Sequence, residues 1–241
     1  MRLEETCRVS LMRGFTLVEL LVVVAIIATI MSIALPSLNR AQKQGEQVAC
    51  LANQRQLIIA WVMYTHDNDD VICSRLSKLD DLLENVEEVF TCPTLEGVGS
   101  SVTCYGYSNT MAGEMRDGVE PFGKYHHISF AGERMVMIDK EASGTDRFWP
   151  IVNLSVSDPN AYDSETEDPW VWRPWSYPRS LQCMTNRHSN GSNMAFADGH
   201  CEYHRWRDSR TVKFIKGELV DEEEASEDNR DLEYLVQILT H

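Results

Sequence analysis

Between Phe15 and Leu35 the chain reads FTLVELLVVVAIIATIMSIAL, apolar at every position except Thr16, Glu19, Thr29 and Ser32. About 20 such residues cross a bilayer as a helix. Arg2, Arg8 and Arg13 precede the run. By the positive-inside rule they hold the N-terminus in the cytoplasm and send everything after Pro36 to the far side. An ordinary secretory signal has a shorter apolar core and ends in a cleavage site after it, here near Ala34. The carboxylate of Glu19 fits neither a signal nor a plain anchor. A charge at the bilayer centre costs about 2.5–3.5 kcal/mol on insertion scales, and less near the ends.

Beyond Pro36 the sequence SLNRAQKQGEQVACLANQRQLIIAWVMYTHDNDD places Leu38, Ala41, Val48, Ala52, Ile59 and Val62 at helical spacing. This pattern predicts one helix from Phe15 to about Tyr64. Pro36 bends such a rod without ending it, and its second half lies on a sheet. The acidic run Asp67–Asp70 offers oxygen donors for calcium at Asp67 and Asp69. It lacks the glycine and distal glutamate of an EF-hand loop, which favours a helix-ending turn.

Two stretches now gain meaning together. RGFTLVELLVVVAIIATIMSIALP resembles the N-terminal signature of type IV prepilins and of type II secretion pseudopilins: a basic leader ending in glycine, then Phe15, Thr16, Leu17, Glu19 and an apolar helix. The resemblance implies cleavage between Gly14 and Phe15 by a prepilin peptidase and methylation of the new amine on Phe15. It also implies a role for Glu19. In a filament core the amine needs a counter-ion, and a carboxylate one turn along a neighbouring subunit supplies it, setting the register of assembly.

The second signature is RHSNGSNMAFADGHCEYHRW, Arg187 to Trp206. His188, nine residues, then Asp198-Gly199 resembles the H-X9-DG segment of a large group of prepilin-type proteins. Physically, NMAFA and CEYHRW alternate like strands, and Asp198-Gly199 is a hairpin turn with Gly199 supplying the positive φ. His188 and Asp198 are expected to meet across the hairpin base. His200 and His204 have the spacing of a zinc helix, but on a strand they stand about 13 Å apart, too far to share an ion. No metal and no cofactor is assigned.

Elsewhere SKLDDLLENVEEVFTCP reads as a short helix, VTCYGYSNT and RMVMIDKE as strands, and residues 155–178 as a surface insertion with Trp170, Trp172 and Trp175. An acidic stretch over 217–228 leads to RDLEYLVQILTH, an amphipathic helix with Leu232, Leu235, Val236 and Leu239 on one side, docked on its own domain or on another subunit. Seven cysteines are present, and six follow the apolar run. In an oxidising compartment these allow up to three disulfides, with fifteen possible pairings, against a reading as scattered buried thiols.

The expected fold class is α+β and pilin-like: a long N-terminal helix, membrane-spanning in its first half, packed on a small antiparallel sheet with loop insertions. The expected organisation is a leader (1–14), a membrane and filament-core helix (15–36), its amphipathic continuation (37–66), a globular domain (67–216) holding the hairpin at 188–206, and an acidic linker with a terminal helix (217–241). Lys+Arg 22 against Asp+Glu 37, net −15, argues against nucleic acid as a partner. No G-x-S-x-G, Walker loop, dinucleotide fingerprint or H-E-x-x-H is present, so an enzyme is not expected. The expected partners are the prepilin peptidase, other pilin or pseudopilin subunits and an inner-membrane assembly platform. The resemblance implies a single-pass bacterial inner-membrane protein with its globular domain periplasmic, entering a type II secretion pseudopilus or a type IV pilus-like filament. The alternative is a minor pilin or adhesin whose globular domain binds a ligand at the cell surface.

Overall fold

The computed structural model describes residues 15–73, 76–83, 85–95, 104–108, 111, 122–140, 151–152, 185–216 and 228–240. The leader, the Trp-bearing insertion and the acidic stretch at 217–227 lie outside these residues. The chain forms two compact units, residues 1–42 and 43–241.

Helix α1 runs from Leu17 to Asp67, 51 residues, and continues through Pro36. In the first unit its apolar side chains are exposed along the whole described length. It is the one helix among the described residues long and apolar enough to cross a membrane. Its C-terminal end closes as a left-handed cap. Asp69 and Asp70 have positive φ, and the N–H of Asp70 donates to the carbonyl of Thr65 at 2.9 Å, the long bond of a Schellman motif.

In the second unit, β1 (Tyr105–Ser108), β2 (Met135–Asp139), β3 (Ile151–Val152), β4 (Gly191–Phe196) and β5 (Cys201–Arg205) form one sheet in the order β3-β1-β2-β4-β5. The four longer strands pair antiparallel, and the two-residue β3 adds parallel to β1 at one edge. The fold is therefore the α+β, pilin-like arrangement, with a parallel edge strand that no local pattern announced. The segment read as one helix after Ser77 is instead a 3-10 helix, Leu76–Leu82, and one α turn, α2, Val86–Val89. The carbonyl of Asn85 accepts the N–H of Val89, so the second turn starts afresh there.

Strand alternation splits the core in two. Ala195 and Ala197 join Cys50, Leu57, Ile58 and Trp61 of α1, together with Tyr105, Tyr107 and Met137. Met194 and Phe196 join Met135, Ile138 and Trp206 on the other side, covered by Leu232, Leu235, Ile238 and Leu239. The last four belong to the terminal helix, Arg230–Thr240, which follows α3 (Ser209–Ile215) and is termed α4. It docks on its own domain. The α1 face that packs is not the one the spacing picked out: Val48, Ala52 and Ile59 are exposed, whereas Cys50, Gln54, Leu57, Ile58 and Trp61 are buried. Both stripes have helical period, and the presence of Trp61 and Gln54 among sheet residues decides between them.

At the start of β4, Gly191 pairs with Arg205. A Cβ there would overlap the carbonyl oxygen of His204 and the ring of Tyr203. Backbone cannot swing aside as a side chain can, so Gly191→Ala is expected to destabilise the domain by about 2–3 kcal/mol, read from the urea midpoint. An unchanged midpoint would refute this close approach.

Candidate functional site

The first unit presents its chemistry at the start of α1. The N–H and hydroxyl of Thr16 each donate to Oε2 of Glu19 at 2.8 Å, and the N–H of Glu19 donates to the Thr16 hydroxyl at 3.2 Å. This is a capping box, Thr16 at the N-cap and Glu19 three residues on, which satisfies orphan donors of the first turn. The T-x-x-E spacing carried this signal, and the sequence reading assigned Glu19 to a neighbouring amine alone. Oε2 makes both bonds, and Oε1 has no partner among the described residues. Phe15 is exposed beside it, and Gly14 lies outside the described residues.

In the second unit, the hairpin β4–β5 turns through Ala197, Asp198 and Gly199. Gly199 takes φ +90° and donates to the Phe196 carbonyl at 2.9 Å. Oδ1 of Asp198 accepts the N–H of His200 at 3.0 Å and lies 2.6 Å from its Nδ1. His188 is elsewhere. It precedes β4, Asp198 follows it, and the extended strand holds them at opposite ends, so the expected contact between them does not form. His200 stacks on Phe196 and His204 on Tyr234, and the two share no ligand.

His188 belongs to a buried junction. Its Nε2 lies 3.4 Å from Oδ2 of Asp139 and 3.7 Å from Sγ of Cys92. Cys92 is joined to Cys50 of α1 by a disulfide. Oδ1 of Asp139 accepts the Gln54 side-chain amide at 3.0 Å, and Oδ2 accepts the backbone N–H of Asn193 at 2.9 Å. The junction thus links α1, β2, β4 and the Cys92 segment. Burial pushes the Asp139 carboxyl up to about 7, against the Asn193 N–H and the charge of Arg187. Burial, then Arg187, pushes the His188 imidazole down to about 4. Asp139 and Gln54 went unremarked in the sequence. The trace they left is a carboxylate closing the apolar run MVMI and a glutamine one turn after Cys50.

The donor atoms of Cys50, Cys92 and His188 lie within 4.8 Å of one another, the one such metal-type grouping among the described residues. With both sulfurs in a disulfide no thiolate is offered, and the arrangement is a covalent staple. Of the cysteines expected to pair, Cys104 is a buried thiol and Cys201 a half-buried one. The calcium candidates Asp67 and Asp69 form no such grouping. The carbonyl of Asp69 accepts Lys124 Nζ at 2.9 Å, while the carboxylate of the neighbouring Asp70 accepts the N–H of His126 at 3.1 Å. The run is a helix-ending turn.

Residues 10–35 match the prokaryotic N-terminal methylation motif. The match supports a prepilin-type protein and indicates a structural subunit rather than an enzyme. The methylation motif implies processing by a prepilin peptidase and assembly with pilin subunits. Together with the apolar half of α1 it fits a membrane-anchored, pilin-like chain. The chain matches no curated protein and no solved structure.

Proposed function

We propose that this chain is a filament subunit, cut between Gly14 and Phe15, methylated on Phe15, held in the bacterial inner membrane by residues 15–36 and assembled through α1 into a secretion pseudopilus or a pilus-like filament. The methylation motif at 10–35 carries the reading. Supporting it are the exposed apolar half of α1 and a second exposed stripe, Val48, Ile59 and Met63, in the globular unit. The remaining oxygen of Glu19 is available to the Phe15 amine of a neighbouring subunit, in the register role. The H-X9-DG segment then belongs to the domain carried outside the membrane.

Mass spectrometry of the mature N-terminus is the test. A chain that begins at methylated Phe15 is expected, and one that begins after Ala34 overturns the reading. The two duties of Glu19 separate by substitution. Glu19→Gln keeps a capping acceptor and removes the charge, whereas Glu19→Ala removes both. Both variants are expected to be processed normally and to lose filament incorporation about tenfold or more, as loss of one partner of a buried ion pair requires. Normal incorporation of Glu19→Gln would reduce Glu19 to a cap.

A further inference from the structure

The buried junction has a second chemistry open to it. The donor atoms of Cys50, Cys92 and His188 lie within 4.8 Å of one another. Nε2 of His188 stands 3.7 Å from Sγ of Cys92 and 3.4 Å from Oδ2 of Asp139. A tetrahedral zinc ion binds sulfur at about 2.3 Å and nitrogen or oxygen at about 2.0–2.1 Å. Around it a nitrogen and a sulfur stand about 3.6 Å apart, and a nitrogen and an oxygen about 3.4 Å. Two edges of such a tetrahedron are therefore already in place. The edge still closed is the one between the sulfurs, which the disulfide holds bonded. A zinc site needs them about 3.8 Å apart.

The surroundings suit a cation. Oε1 of Gln54 and Oδ1 of Asn193 are buried with no hydrogen-bond partner among the described residues. Buried acceptors of this kind call for a donor or a cation nearby. The same two residues hold the Asp139 carboxylate, through the Gln54 amide at 3.0 Å and the Asn193 N–H at 2.9 Å. Hydrogen bonds of that sort orient a ligating carboxylate. Two thiolates, one carboxylate and a divalent ion leave a net charge of about −1. Arg187, whose charge acts on both His188 and Asp139, offsets it. All four side chains are buried, which fits a closed structural site rather than a catalytic one with an open position.

We propose that Cys50, Cys92, His188 and Asp139 bind one zinc ion when the disulfide is reduced, so that a metal staple takes the place of the covalent one. A dithiol supplies the reduction. The bond between Cys50 and Cys92 breaks, two electrons and two protons pass to their sulfurs, and the dithiol closes into its own disulfide. Zinc then takes both sulfurs as thiolates, and their two protons leave to solvent. The Asp139 carboxyl gives up its proton as it ligates. The disulfide ties α1 to the Cys92 segment alone, whereas the metal adds β2 and the residue that leads into β4. The site lies within the globular unit and does not rest on whether the chain polymerises.

Zinc titration of the full chain in detergent micelles, oxidised and after reduction with a phosphine, tests the proposal against a chromophoric chelator. The reduced chain is expected to take up one zinc ion about a hundredfold more tightly than the oxidised chain. With Co²⁺ in place of zinc it should show the intense visible absorption of a tetrahedral thiolate site. His188→Gln and Asp139→Asn are each expected to weaken zinc about tenfold or more. Cys201→Ser, which removes a thiol outside the junction, is expected to leave it unchanged. Zinc should also raise the urea midpoint of the reduced wild type and leave that of reduced Cys50→Ser unmoved. Equal uptake by the oxidised chain or by His188→Gln overturns the site, as does an octahedral cobalt spectrum. Full affinity in Asp139→Asn overturns its place as the fourth ligand.

Discussion

Cys50→Ser is expected to remove about 4 kcal/mol of stability from the globular unit. The disulfide to Cys92 spans 42 positions, and closing a loop of that length in the unfolded chain accounts for roughly that amount in the chain-entropy view. The bond also anchors α1 to the segment that carries His188 against it, so its loss opens a buried junction as well as a loop. Urea midpoints of the full chain in detergent micelles, with and without a thiol reductant, provide the check. Reductant should bring wild type down to the level of Cys50→Ser and leave that variant unmoved. A wild-type midpoint indifferent to reductant would show that the staple contributes nothing.

The second large effect concerns the pH profile of the Asp139–His188 pair. In the unfolded chain the carboxyl titrates near 3.8 and the imidazole near 6.5, so between those values one proton is bound, on the histidine. In the folded chain the carboxyl is pushed up to about 7 and the imidazole down to about 4, so one proton is again bound, now on the carboxyl. Folding relocates the proton without taking one up or releasing one. The pair therefore contributes no pH slope to stability between about pH 4 and 6.5.

Removing one partner exposes the other. In Asp139→Asn the depressed imidazole remains, and the stability tied to it is present above pH 6.5 and lost as pH falls toward 4. In His188→Gln the raised carboxyl remains, and its contribution is full below pH 3.8 and lost as pH rises through about 7. Each slope approaches about 1.4 kcal/mol per pH unit, so the two variants diverge from wild type in opposite directions. Midpoints measured across that interval and read as differences from wild type decide the matter. Parallel profiles for all three chains would mean that the pair does not titrate as a unit.

The parts of this molecule that sequence discloses are those with a short-range cause. Membrane length and near-continuous apolarity mark the first half of α1, Asp198-Gly199 marks its turn, and Leu232, Leu235 and Leu239 mark α4 by period alone. Harder are the places where period is ambiguous. Val48, Ala52 and Ile59 obey the helical repeat as well as Leu57 and Trp61 do, and only the sheet selects one stripe over the other. The cysteine spacing was equally silent on which partner Cys50 takes. Hidden altogether is the junction of His188 with Asp139 and Gln54. It joins three stretches remote in sequence, and the nearer aspartate, Asp198, offered a plausible local alternative that the length of β4 rules out.

That length has a further consequence. Side chains of β4 alternate between the layer under α1 and the layer under α4, while His188 is fixed at one end by the junction and Asp198 at the other by its turn. Both ends are pinned, so the number of residues between them is a matter of parity. One residue more or fewer would either tear an end loose or exchange the two layers, sending Met194 and Phe196 toward the helix that now meets alanines. The spacer in the segment is thus a count enforced by geometry, intolerant of any change in the number of residues that fill it.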